Sequence, residues 1–181
     1  MPKVSRIIAV ALLVALATVA CRKEKQAASS EPETFTFTVY PGARYLSQLT
    51  ELAKQAHTLM KPGDAPPPTA FYDTDASLED VAKYYVKAYG YPTIAADATN
   101  NLSAAKPPAY YRSGDLHTDA ASIADLLKKL NLNTDVSKAQ GKYRAVELDA
   151  KPNRPRVTIQ RPYFDVTNSQ VVDRTIILMA P

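Results

Sequence analysis

The chain has 181 residues, 22 basic against 18 acidic side chains, a formal charge of +4 and one cysteine. So mild an excess is no electrostatic footprint for nucleic acid. A lone cysteine has no partner for an internal disulfide, so Cys21 needs another explanation.

The amino terminus supplies one. Lys3 and Arg6 precede an uncharged apolar run, Ile7 to Ala20. As a helix this run would extend about 21 Å, short of the ~30 Å hydrocarbon core of a bilayer. A basic start, a short apolar core and small residues at its end make a secretory signal. Two cleavage schemes are open. Cleavage at Ala15-Leu16-Ala17 would leave Cys21 as a thiol exposed to intermolecular disulfides in an oxidising compartment. Alternatively, Thr18-Val19-Ala20-Cys21 resembles the lipobox of bacterial lipoproteins, with small Ala20 before the cysteine and Thr18 where leucine is commonest. One cysteine at this one boundary favours the second scheme.

That resemblance implies that Cys21 becomes the first mature residue, carrying a thioether-linked diacylglycerol and an amide-linked acyl chain. At ~0.8 kcal/mol per buried methylene, two or three such chains hold a protein on a bilayer. Arg22, not Asp, follows the cysteine, which in enteric-type lipoproteins implies the periplasmic face of the outer membrane. The expected location is therefore the bacterial cell envelope, with the membrane a partner through Cys21.

Residues 22–34, RKEKQAASSEPET, have little to bury and read as a disordered tether of about 20 Å end to end. Losing Lys3 and Arg6 with the signal reduces 22 basic residues to 20 against 18 acidic, so nucleic acid is not an expected partner. The expected organisation is a signal peptide at 1–20, a lipidated cysteine and tether at 21–34, and a single globular domain at 35–181.

Within that domain TFTFTVY, 34–40, alternates as a half-buried strand and stops at Pro41-Gly42. Leu49, Leu52, Ala56 and Leu59 recur at helical spacing between Tyr45 and Met60. FYDT, 71–74, reads as a short strand. A second helix follows, capped by Ser77 with Asp80, burying Leu78, Val81, Ala82, Tyr85, Ala88 and Tyr89, pairing Glu79 with Lys83 and stopping at Gly90. Residues 92–116 form a long, weakly patterned connection with a short strand at Tyr110-Tyr111. Ile123, Leu126, Leu127 and Leu130 mark a third helix beginning near Thr118 or Asp119. Three strands close the chain, at 142–149, 154–163 and 171–180, in an antiparallel meander. TIILM in the last lacks alternation, as in a central strand covered on both faces.

The expected fold is α+β: an antiparallel sheet of about four to five strands packed by two or three helices on one side. VYPGARYL, a Tyr-Asp-Thr strand end and SLEDVAKYY together resemble the layout of poorly characterised small bacterial envelope proteins over about fifty residues. The resemblance implies a fold and carries no functional residues.

Chemistry is sparse. His117 is bracketed by Asp115 and Asp119, a trio a metal or a general base could use, but helix capping accounts for the same residues. His57 reads as a core-edge residue, and Asp73 to Ser77 lacks the glycine and glutamate of a calcium loop. No nucleophile motif or glycine-rich phosphate cradle occurs, so no catalytic residue and no cofactor is expected. With eleven tyrosines, four phenylalanines and no tryptophan, a candidate binding surface is drawn from Tyr110, Tyr111, Arg112, Arg154, Arg156, Arg161 and Tyr163. The expected function is a lipid-anchored envelope protein with a non-catalytic binding or scaffolding domain for an envelope protein or cell-wall polymer. A lipid-anchored hydrolase of envelope glycan or peptide, and a carrier of an apolar ligand, are the alternatives.

Overall fold

The computed structural model describes residues 38–96, 107–151 and 154–181. The signal, Cys21, the tether and residues 34–37 of the first expected strand lie outside the described residues, as do 97–106 of the long connection.

The described residues form an α+β fold of four α-helices, a six-stranded antiparallel sheet and a separate two-stranded ribbon. In chain order the elements are β1 (Arg44–Tyr45), α1 (Ser47–Met60), β2 (Ala70–Thr74), α2 (Leu78–Tyr89), β3 (Ala109–Asp115), α3 (Leu116–Ser122), α4 (Ala124–Lys129), a 3₁₀ turn (Val136–Lys138), β4 (Lys142–Leu148), β5 (Arg156–Arg161), β6 (Tyr163–Asp165), β7 (Gln170–Val172) and β8 (Thr175–Ala180). The large sheet runs β1-β2-β8-β5-β4-β3, so β4, β5 and β8 lie side by side as in the expected meander, and β3 adds a strand beside β4. β8 is central, and Ile177 stands opposite both Tyr72 of β2 and Ile159 of β5.

Helices cover both faces of this sheet, not one. On one face Leu78, Val81, Ala82 and Tyr85 of α2 pack with Tyr72, Val146, Ile159 and Ile177. On the other, Leu49 and Leu52 of α1 and Leu116, Ala120 and Leu127 of α3–α4 pack with Phe71, Ala145 and Ile176. The second layer escapes a hydropathy reading because the strand face beneath it is partly polar. Thr158 of β5 donates to Glu147 at 2.7 Å, and Glu147 also pairs with Arg112 of β3 at 2.7 Å. Both charged side chains are only 13% exposed. An internal ion pair therefore lies on the sheet face beneath this helix layer, and a buried pair holds only because its remaining atoms are also bonded.

Several elements differ from expectation. Tyr110-Tyr111 belongs to a seven-residue strand, because β4 gives each residue from Ala109 to Asp115 a register partner. The third helix starts earlier, with Asp115 as its N-cap accepting from Thr118 N, and it breaks into α3 and α4 at Ile123. The expected strand 171–180 divides: β7 pairs with β6 in the ribbon, and only Thr175–Ala180 enters the large sheet. Leu59 is 48% exposed in the last turn of α1, and Ala88 also faces solvent. Glu79 binds Arg144 of β4 at 2.9 Å rather than forming the expected i, i+4 contact.

Candidate functional site

Helix α2 organises what lies at its two ends. Ser77 Oγ accepts from Asp80 N at 3.1 Å and its hydroxyl donates to the Asp80 carboxylate, so the helix start is held by its own side chains. Gly90, at φ 65°, takes the left-handed conformation that ends the helix and that other residues resist.

Along the helix the tyrosines hold the incoming chain. Thr38 N donates to Tyr89 Oη at 2.5 Å, Tyr84 Oη donates to Val39 O at 3.2 Å, and Tyr40 N donates to Tyr85 Oη at 3.1 Å. Residues 38–40 are consequently not in a strand, contrary to the alternating pattern: tyrosine hydroxyls take the backbone groups that a ladder would pair. The chain then turns at Tyr40 to Ala43, where Pro41 precedes Gly42 at φ 75° and Ala43 N donates to Tyr40 O at 3.0 Å.

A second cluster centres on Asp73, which is fully buried in β2. Its carboxylate accepts from Arg44 at 2.8 and 3.0 Å, from Arg174 at 3.0 Å and from Tyr163 Oη at 3.1 Å. Arg174 also binds Asp75. These contacts tie β1, β2, the ribbon and the start of β8 together, and the aspartates read as a poor calcium loop are ion-pair partners.

At the start of α2 opens a cleft of about 640 Å³. Ser77, Leu78 and Glu79 form one side; Ser113 of β3 and Lys142, Tyr143 and Arg144 of β4 form another; Arg161 and Pro162 close the end of β5. The topology brings the basic residues together, since Arg144 and Arg161 are direct register partners across β4 and β5. Arg161 is immobilised: it donates to the carbonyls of Asp75, Ala76 and Asp173 at 3.0 to 3.3 Å and to Asp173 Oδ1 at 2.9 Å. Arg144 lies over the Tyr111 ring, 5.1 Å from its centroid. Tyr143 runs to the opposite face of the sheet, where its hydroxyl donates to Asp119 and accepts from Arg112. Burial first, and then the hydrogen bond to Asp119, push the Tyr143 hydroxyl up to about 12. Gly114 makes room for this ring, because a Cβ there would land inside it.

The seven residues of the expected binding surface divide. Arg161 lines the cleft, and half-buried Tyr111 stacks under its Arg144. Tyr110, at 6% exposure, and Tyr163, at 4%, are buried, and Arg112 is held inside by Glu147 and Tyr143. Arg154 lies over Tyr91 at 4.5 Å and donates to Gly90 O at the far end of α2. Arg156 is exposed at the opposite end of β5 from Arg161. Lys142 and Arg144, absent from that expectation, replace them at the cleft.

The His117 trio does not converge. Asp115 caps α3, Asp119 accepts from Tyr143, and His117 Nδ1 lies 3.3 Å from Val136 O. Hydrogen bonds from the Thr118 backbone hold the Asp115 carboxyl below its ordinary range. Among the described residues no group of three His, Cys, Asp or Glu side chains is placed to hold a metal ion.

No family model, curated protein or solved structure matches this chain.

Proposed function

We propose that this chain is a lipid-anchored protein of the bacterial cell envelope, held on the periplasmic face of the outer membrane through Cys21, whose folded part is a non-catalytic binding or scaffolding module. The cleft at the start of α2 is its docking site for an envelope protein or cell-wall polymer.

One observation carries this reading: Thr38, the described residue nearest Cys21 in sequence, and the cleft belong to opposite ends of α2. The tyrosines pin residues 38–40, with Thr38 beside Tyr89. The cleft begins at Leu78, about 17 Å away along a helix axis at 1.5 Å per residue. The cleft also presents a single carboxylate, Glu79, already paired with Arg144. A glycosidase would place two carboxylates across such a site.

A photoreactive side chain at position 113, which is exposed on the cleft, tests the proposal in intact cells. The native chain should give a discrete adduct with an envelope component. Cys21→Ser should lose acyl label, leave the membrane fraction and lose most of that adduct, because anchoring supplies the local concentration. Full membrane retention of Cys21→Ser would contradict the anchor, and absence of any adduct from the native chain would contradict the docking site.

A further inference from the structure

We infer that the cleft binds an oxyanion, a carboxylate or a phosphate ester, between Lys142 and Arg144 with Arg161 as a fixed positive charge in the same wall; this rests on the cleft being the docking site. The first support is the register. Arg144 and Arg161 stand directly opposite each other on adjacent strands, a placement that works against the sheet when both residues carry the same charge.

The second support is how each charge is held. Arg161 is bonded mostly to main-chain carbonyls, which position a guanidinium without cancelling its charge. Its one carboxylate partner, Asp173, is 81% exposed and so neutralises it weakly. Arg144 is 59% exposed in its pair with Glu79, itself 45% exposed, and pairs so open to water exchange partners readily. Lys142 is exposed and has no carboxylate partner among the described residues. Three cations thus stand against two solvent-open carboxylates, Glu79 on Arg144 and Asp173 on Arg161. The start of α2 is not the source of attraction, since Ser77 caps it and Glu79 and Asp80 occupy its first turn.

The remaining wall sets the size and shape of the guest. Pro162 supplies apolar surface beside the nearly buried edge of Leu78, while the Ser77 hydroxyl stays on Asp80. A cleft of about 640 Å³ lies within the ordinary range for a small ligand. The fitting class is a small molecule or group that carries an oxyanion. Binding would displace Glu79 from Arg144 and relieve the repulsion between the two arginines.

The test titrates the full-length chain in detergent with glucose 6-phosphate, glucuronate and neutral glucose, read by amide chemical shifts and thermal midpoint. Saturable shifts at Leu78, Glu79 and Arg144 are expected with at least one anion, and none with glucose; which anion binds separates a phosphate source from a carboxylate source. Arg144→Gln should weaken binding about tenfold while leaving the midpoint unchanged or raised, since it also removes like-charge repulsion. Glu79→Gln should tighten binding about threefold by freeing Arg144. Equal response to glucose, no response to either anion, or indifference to both substitutions would overturn the inference. Failure here alongside a surviving in-cell adduct at position 113 removes the anion and keeps the docking site; the converse result removes the docking site.

Discussion

At the scale of single residues, two positions hold more than their sequence context suggests. Asp73 is 0% exposed, whereas its partners Arg44 and Arg174 are 52% and 27% exposed. Asp73→Asn keeps the shape but removes the charge, and both arginines can turn partly to water. The cost should therefore fall near the lower end for a broken buried pair, about 2–3 kcal/mol, in chemical denaturation. A loss under 0.5 kcal/mol, ordinary for a surface site, would mean that this network is not structural. At Gly114 the constraint is steric: Gly114→Ala should destabilise by about 1–3 kcal/mol through overpacking against Tyr143. In a Tyr143→Leu background the same change should cost much less, and a double-mutant cycle reads that difference. Alkaline titration examines the tyrosines. Burial raises Tyr85, Tyr91, Tyr143 and Tyr163 above the ordinary value, Tyr143 to about 12. A raised folded-state value stabilises fully below pH ~10 and loses that contribution as pH climbs through the folded value. Ultraviolet titration should show these four ionising late, together with unfolding above about pH 12. Smooth ionisation of all eleven tyrosines near pH ~10 would contradict their burial.

At the scale of elements, α2 was the most legible part of the chain. Its cap at Ser77, its buried positions Leu78, Val81, Ala82 and Tyr85, and its stop at Gly90 are local signals, and tertiary structure leaves them unchanged. Central β8 was equally readable, because a strand buried on both faces must lack alternation. Residues 34–40 misled for a physical reason: alternation reports which side chains face an apolar surface, not what bonds the backbone. In the described part, at 38–40, the acceptors and donors are tyrosines of α2, distant in sequence. In β5, Thr158 points inward to Glu147, a contact that only the pairing of β4 with β5 creates. For the cleft, Arg161 was visible in sequence but Lys142 and Arg144 were not, because only the pairing of β4 with β5 brings them to it. The tyrosine contacts allow a direct check. Tyr89→Phe removes the acceptor of the Thr38 amide and should speed its hydrogen exchange, and Tyr85→Phe should do so for Tyr40. At about 1 kcal/mol per hydrogen bond the expected acceleration is about fivefold, with the amides of β8 unaffected. Unchanged exchange at both positions would mean that the chain leaves the domain elsewhere.

At the scale of the whole molecule, three layers with helices on both faces of the sheet leave the cleft at one end of α2 and Thr38 at the other. The +4 charge of the full chain is too small to attract a polyanion by itself. What matters is local: Lys142, Arg144 and Arg161 share one cleft with Glu79. The measurement that bears most directly on this account is in-cell photocapture from position 113, comparing the native cleft with Lys142→Glu/Arg144→Glu in a chain that still carries its anchor. The account predicts unchanged membrane retention and thermal stability with loss of most of the adduct. An adduct of undiminished yield would contradict it, for the partner would then dock without the charges that define the cleft.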